Sequence, residues 1–541
     1  MVTRLIKIRL VIFMLCLASL GEAKVKLPAF ISDGMVLQRE QSIPVWGTAD
    51  PGEEVIITFL KKKYRIQADE RGNWKLVFAP LKAGGPYTMT INDITIHDIL
   101  IGDVFLCSGQ SNMELPVSRT LDLYAEEVAA YNNPMIRHIK VPLSYNFHAP
   151  QTDIKQASWK TLTQENAMSF SALAYFFAKE WYAETKVPVG LINSSVGGSP
   201  VEAWISEEGL KPFPKYLNDR ELYKSDSYVA LIREMEKERS RWWHTVEYKN
   251  DPGLQQAIKW YQTAYSDNEW NEYDLFDSSW GSNGLNPING SHWLRKEVEI
   301  PGSFENQEAV LRLGCIVDAD SVYVNGTFVG TVSYKYPPRI YKIPTGLLRK
   351  GKNTVTVRLI SYGEYPHFVK DKPYKIICGT EEVSLEGKWK YKQGAPMPPS
   401  GGQTFFQYKP VGLYNAMIAP LQTYGIKGVI WYQGESNTGR YNEYYDLLTT
   451  MISDWCTAWE RPELPFIIVE LASFGSPDNI PMQKQWAAFR EVQKQVATDT
   501  PNSGIASAYD LGEWNDVHPL NKKELGKRVL REMQQLILNS K

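Results

Sequence analysis

Four polar segments of the sequence carry residue types that suit acyl transfer, and each of them follows an apolar run. The first is CSGQSNMELP, in which Ser111 stands two residues after Gly109 and follows the apolar residues 104–106. A serine hydroxyl at such a turn can act as a nucleophile, although a serine in a turn is more often a helix cap. The sequence leaves both interpretations of Ser111 open.

A serine nucleophile requires a base, and the chain offers seven histidines. His518 stands apart, because it lies in NDVHPLNK, a loop just before the last predicted helix, with Asp516 two residues earlier. A carboxylate near a histidine can hold its tautomer and stabilise the imidazolium. His518 is therefore the candidate base, and its alternative is an ordinary loop residue at a helix start.

The remaining two segments could stabilise a developing negative charge. WYQGESN supplies the side-chain amides of Gln433 and Asn437 and the carboxylate of Glu435, and INSSVGGSPVEAW supplies Gly197 and Gly198 at a predicted helix start. Amide N–H groups serve as oxyanion donors, and a glycine lets its backbone N–H approach a ligand closely. As structure alone, both segments are polar loops between a strand and a helix.

A sheet of parallel strands would bring these four segments together. From about residue 98 onward, apolar runs such as DVFLC, GVIWY and PFIIVEL alternate with helical patterns, which is typical of a doubly wound α/β fold. Open α/β sheets bind ligands beyond the carboxyl ends of their strands. All four segments fall at such ends, which favours catalysis over the separate structural interpretations.

Two stretches of the chain depart from this alternation. Residues 24–97 and 261–390 consist of short strand-like runs separated by turn residues such as DPGE and VNGT. We therefore predict a signal peptide at 1–23, a β-sandwich at 24–97, an α/β domain in two parts at 98–260 and 391–541, and a β module inserted at 261–390.

The N-terminal sequence predicts where the protein is located, and the net charge limits which classes of partner it can bind. Basic residues, an apolar run from Leu10 to Leu20 and a small-residue site ending at Ala23 indicate a secretory signal, and hence a periplasmic or extracellular protein. The formal net charge of −2 argues against nucleic acid and against stable membrane association. The cysteines after residue 23 are far apart, which argues against a metal site.

The four segments together resemble the sialate O-acetylesterase family, a branch of the SGNH-hydrolase superfamily that is related to acetylxylan esterases. GQSNMELP, NSSVGGSPVEAW, WYQGESN and NDVHPLNK occur in that family's order and span residues 98–541 around the insert. The resemblance implies an SGNH-type doubly wound parallel sheet of the flavodoxin-like kind, an N-terminal β domain and an inserted jelly roll.

The resemblance also implies roles for individual residues. Ser111 would be the nucleophile and His518 the general base. The oxyanion hole would comprise the backbone N–H of Ser111, that of Gly198, and a side-chain amide from Gln433 or Asn437.

The acid behind the histidine stays open between two carboxylates. Members of the superfamily often place an aspartate three residues before the histidine, but here that position is Asn515 and the carboxylate follows at Asp516. Related acetylxylan esterases use the glutamate of the QGE block, which is Glu435 in this chain.

The implied activity is removal of O-acetyl groups from glycans, most of all O-acetylated sialic acids, through an acyl-enzyme and with no metal or organic cofactor. One alternative is an esterase for acetylated xylan or another hemicellulose. An alternative of another class is a glycan-binding protein without catalytic activity. The sequence identifies no residues that bind the sugar.

Overall fold

A computed structural model of the chain describes residues 25–284 and 286–539. The predicted signal peptide, residues 1–23, lies outside these described residues. The chain is a mixed α/β protein that divides into two compact units, the first reaching to Lys224 and resuming at Phe405, the second comprising Ser225–Thr404. The five domain bounds given above stay predictions.

The strands are numbered in chain order. Before the second unit they are β1 (Val36–Gln38), β2 (Ile43–Thr48), β3 (Glu54–Phe59), β4 (Lys62–Gln67), β5 (Asn73–Phe78), β6 (Gly84–Ile91), β7 (Ile94–Gly109), β8 (Asn133–Lys140), β9 (Lys160–Leu162) and β10 (Val189–Ser195). Within it they are β11 (Asn271–Asp274), β12 (Ser282–Asn283), β13 (Asn286–Pro287), β14 (Asn289–Ile300), β15 (Ala309–Leu313), β16 (Ile316–Val317), β17 (Ala319–Val324), β18 (Thr327–Val332), β19 (Ile340–Ile343), β20 (Gly351–Ser361), β21 (His367–Phe368), β22 (Tyr374–Cys378), β23 (Glu381–Ser384) and β24 (Lys388–Met397). After it come β25 (Gly428–Tyr432), β26 (Phe466–Val469) and β27 (Ser503–Ala506).

The α-helices are numbered in the same way. They are α1 (Ser111–Glu114), α2 (Leu121–Ala129), α3 (Gln164–Ala167), α4 (Ala172–Thr185), α5 (Pro214–Tyr223), α6 (Asp226–Asn250), α7 (Pro252–Gln255), α8 (Tyr441–Ala458), α9 (Ile480–Asp499) and α10 (Lys522–Asn539). In the described part of the chain, no helix is long and apolar enough to cross a membrane.

A central mixed sheet organises the first unit. Its strands follow the order β27-β26-β25-β7-β10-β8-β9, and neighbours are parallel except for the β8–β9 pair at the edge. The helices α4 and α10 pack against each other, as do α8 and α9. Both faces of β25 and β26 are buried, which explains why the sequences of these strands are continuous apolar runs.

Strand β7 connects the N-terminal β module to this sheet. Its first half pairs with β6 and β1, its last seven residues pair with β10, and the last five of these also pair with β25. Of residues 94–98 all but Ile96 are at least partly exposed, whereas all residues from Ile99 to Gly109 are buried. A single strand thus runs from one module into the other and ends two residues before Ser111.

The second unit consists largely of two antiparallel sheets that enclose a common apolar core. The larger follows the order β11-β24-β14-β20-β17-β18 and the smaller β19-β15-β22-β23. An ion pair between Asp320 and Arg339, with 2.6 Å between Oδ1 and Nε and both side chains fully buried, joins β17 to the chain just before β19. The predicted jelly-roll topology stays a prediction.

Candidate active site

Three parallel strands end side by side and set the position of the site. In the pairing register, Gly109 at the end of β7 lies opposite Ser195 of β10 and opposite Tyr432 of β25. The loops that begin at residues 110, 196 and 433 therefore leave the sheet at the same edge. Three of the four predicted segments meet there because of this register.

Gly109 permits the sharp turn before the serine. Its φ is +133°, and a Cβ built on it would lie 2.1 Å from the carbonyl oxygen of Tyr432. Any larger residue would force β25 away from β7. The Gln110 N–H donates to that same carbonyl at 2.9 Å, which fixes the turn to the neighbouring strand.

Ser111 does not cap the helix that follows it. It is the first residue of α1, the N-cap position belongs to Gln110, and no side chain makes a capping hydrogen bond there. The cap interpretation of Ser111 is therefore wrong. Its side chain is half-buried, and a Cβ built on Gly197 would lie 3.6 Å from the Cβ of Ser111.

The glycine pair is held from several sides. Gly198 has a φ of +76°, and its carbonyl accepts the hydroxyl of Ser436 at 2.7 Å. The hydroxyl of Tyr408 donates to the carbonyl of Gly197 at 2.8 Å, and the Gly197 N–H donates to Glu114 Oε2 at 2.8 Å. Among the described residues, the Gly198 N–H donates to no backbone carbonyl, so of the two glycine N–H groups it is the one open to a ligand.

Both candidate amides of the QGESN segment lie in the interior and already donate. Gln433 Nε2 donates to Asn437 Oδ1 at 2.7 Å and to the Ser199 carbonyl at 3.2 Å. Asn437 Nδ2 donates to Glu202 Oε2 at 3.0 Å, and its Oδ1 also accepts the Val201 N–H. The two side chains thus hold the loop of β25 against the loop of β10.

His518 is buried in the loop between β27 and α10, and the carboxylate of Asp516 faces its ring. The distance from Nδ1 to Asp516 Oδ1 is 3.6 Å, and the backbone N–H of His518 donates to the same oxygen at 2.9 Å. A separation of 3.6 Å exceeds a hydrogen bond, but catalytic contacts are often long before substrate binds. Asp516 thus lies beside the ring nitrogen that an orienting acid would engage.

Glu435, the other candidate acid, is tied to the residue after the serine. Its Oε1 accepts Asn112 Nδ2 at 2.6 Å, whereas its buried Oε2 has no hydrogen-bond partner among the described residues. Burial raises the pKa of this carboxyl, although the Asn112 amide and the nearby His518 and Lys522 act in the opposite direction.

Two further residues belong to this site although the sequence did not single them out. The buried amide of Asn112 also donates from Nδ2 to the Val517 carbonyl at 2.9 Å, and its Oδ1 accepts Lys522 Nζ at 2.7 Å. Lys522 is 1% exposed and lies four residues after His518. Their sequence signals were their neighbours: Asn112 directly follows Ser111, and Lys522 is the last residue of the NDVHPLNK segment.

Comparisons with known proteins match this chain to carbohydrate acetylesterases. A family model described as carbohydrate esterase, sialic acid-specific acetylesterase, matches residues 101–273 and 398–535, which is more than half of the chain. The sialate O-acetylesterases of Homo sapiens and Mus musculus are each 33% identical to this chain, over 206 and 205 residues. These matches cover 34% of this chain but only 39% and 38% of the two relatives, well under two thirds of their length.

A solved structure shares the fold. A carbohydrate acetylesterase from Xanthomonas citri superposes with a TM-score of 0.57 at 24% sequence identity. The match covers 95% of this chain and 76% of that protein.

Proposed function

Because the chain belongs to the carbohydrate esterase family of sialic acid-specific acetylesterases, we propose that it hydrolyses O-acetyl esters of glycans with Ser111 as the nucleophile. The observation that carries this proposal is the shared sheet edge, where a serine that caps no helix lies beside Gly197, the residue before Gly198. The loop of His518 reaches the same place, because Asn112 binds the Val517 carbonyl.

In the proposed reaction, Ser111 Oγ attacks the acetyl carbonyl carbon while His518 accepts the hydroxyl proton. The backbone N–H groups of Ser111 and Gly198 donate to the oxyanion of the tetrahedral intermediate. Its collapse breaks the bond to the sugar oxygen, which takes the proton from His518 and leaves. Water then hydrolyses the acetyl-enzyme with His518 as base. A side-chain amide of Gln433 or Asn437 becomes a third donor only by exchanging one of its present hydrogen bonds.

For the orienting acid we favour Asp516 over Glu435. The Asp516 carboxylate lies 3.6 Å from the histidine Nδ1, whereas Oε1 of Glu435 is engaged by Asn112. Asp516→Asn should then lower kcat by about 10⁴-fold, as loss of the acid does in serine hydrolases, and Glu435→Gln by much less. The reverse order would assign the acid to Glu435.

The test of the function is hydrolysis of an aryl acetate by the wild type and by Ser111→Ala. We expect the variant to lose activity with an unchanged circular dichroism spectrum. Unchanged turnover in the variant would remove Ser111 from the mechanism, and an inactive wild type that still binds glycan would favour the non-catalytic alternative.

The glycan and the location complete the proposal. We propose acetylated sialic acids as the substrate, with acetylated xylan as the alternative, and acetate release from a panel of both decides between them. We also propose export of the chain, for which N-terminal sequencing of the mature protein should find Lys24 as the first residue.

A further inference from the structure

Lys522 is a buried ammonium group with few partners. Among the described residues its only hydrogen-bond acceptor is Asn112 Oδ1, and Nζ lies 5.0 Å from the ring centre of Tyr432. An ammonium can donate three hydrogen bonds, so its burial with one acceptor costs free energy. Such a group does not contribute to folding stability through its charge.

The direction of its pKa agrees with this cost. Burial lowers the pKa of Lys522 from 10.5 to about 7, although the carboxylates of Glu435, Asp516 and Glu513 act in the opposite direction. Between about pH 7 and 10.5 the unfolded chain therefore binds more protons at this residue than the folded chain. The folded state gains stability as pH rises through that window. The positive charge of Lys522 therefore destabilises the folded state at neutral pH.

The hydrogen bonds of Asn112 show what Lys522 does at this position. Protonated Lys522 can only donate and the Val517 carbonyl can only accept, so the amide of Asn112 has a single orientation that satisfies both. In that orientation Asn112 ties the turn of Ser111 to the loop of His518, across more than 400 residues of sequence. Without Lys522, Asn112 Oδ1 loses its donor, and only the two acceptors of Nδ2, the Val517 carbonyl and Glu435 Oε1, still favour that orientation.

We propose that Asn112 and Lys522 are a positioning pair. Lys522 orients the Asn112 amide, and this amide holds the loop that carries His518 next to the turn that carries Ser111. This inference rests on the proposed function. A displacement of about 1 Å between base and nucleophile costs on the order of 100-fold in rate. The pair acts on the catalytic step through geometry and makes no contact with the reacting atoms.

The test compares Lys522→Met with Lys523→Met as a matched control. Lys523 is the next residue of α10, and its Nζ pairs with Glu127 Oε2 at 2.7 Å, away from Asn112. For an aryl acetate we expect kcat of Lys522→Met to fall about 10- to 100-fold with KM within threefold, and both constants of the control to stay unchanged. The urea midpoint of Lys522→Met at pH 7.5 should equal or exceed that of the wild type.

A pH series distinguishes an effect of Lys522 through its hydrogen bond to Asn112 from an effect through its positive charge. A neutral amine still donates to Asn112, so the ratio of wild-type to Lys522→Met kcat should stay constant between pH 6 and 9. A ratio that shrinks as pH rises through about 7 would assign the effect to charge and overturn the positioning pair. A fall in kcat that is accompanied by a lower urea midpoint would also overturn it, as a structural role.

A second variant addresses the amide itself. Asn112→Asp keeps the shape and the acceptor for Lys522 but removes the donor to Val517 and Glu435, so we expect a similar loss in kcat. Full activity of either variant overturns the inference. If Ser111→Ala is inactive while Lys522→Met is fully active, the inference alone has failed; if Ser111→Ala is active, the proposed function has failed.

Discussion

Replacement of Gly198 by alanine perturbs the proposed oxyanion hole at one defined point. The residue has a φ of +76°, and a Cβ there would lie 2.1 Å from the hydroxyl oxygen of Tyr408. The left-handed conformation costs an alanine about 1–2 kcal/mol. Displacement of Tyr408 also breaks its 2.8 Å hydrogen bond to the Gly197 carbonyl, worth about 1 kcal/mol. We therefore expect the free energy of unfolding to fall by about 2–3 kcal/mol.

The effect on catalysis should exceed this effect on stability. If the peptide of Gly198 shifts, its N–H no longer reaches the oxyanion, and removal of one such donor lowers kcat by about 10²- to 10³-fold. The assay is the steady-state hydrolysis of an aryl acetate at a temperature where the variant is folded, together with urea unfolding followed by tryptophan fluorescence.

Gly52 provides the matched control. Its φ is +77°, and nothing lies within 4 Å of a Cβ built there. Gly52→Ala should therefore show the conformational cost of about 1–2 kcal/mol with unchanged kcat. The reasoning is refuted if Gly198→Ala keeps kcat within threefold of the wild type, or if the two variants lose activity equally.

Two other substitutions test Trp514 as a candidate sugar contact and a buried ion pair of the second unit. Trp514 lies in the loop of His518 and is 44% exposed. Trp514→Ala should therefore raise KM about 3- to 10-fold for an acetylated sugar by loss of stacking, but leave KM unchanged for a small aliphatic acetate, which has no ring to stack. The same KM for the acetylated sugar in the variant and the wild type would contradict this. Asp320→Asn leaves the fully buried guanidinium of Arg339 without its charged partner, so urea unfolding should show a loss of about 3–5 kcal/mol. A loss below about 1 kcal/mol would show that the pair contributes little.

The family and the elements that carry the site could be predicted from the sequence. The resemblance to the sialate O-acetylesterase family is confirmed, and so is the mixed α/β character of the fold. The reason is local: a strand buried on both faces reads as an apolar run, and the turn residues at its end are its neighbours in sequence. The polar segments at the ends of β7, β10 and β25 could therefore be identified from the sequence alone.

Only the tertiary structure decided how the side chains of these segments are used. The amides of Gln433 and Asn437 have the chemistry of oxyanion donors, but contacts with residues more than 200 positions away already engage them. Lys522 donates to Asn112 across 410 residues, and no periodicity or spacing records such a pair. The sequence thus determined which chemistry the strand ends carry. Burial and long-range hydrogen bonds decided which atoms remain available to perform it.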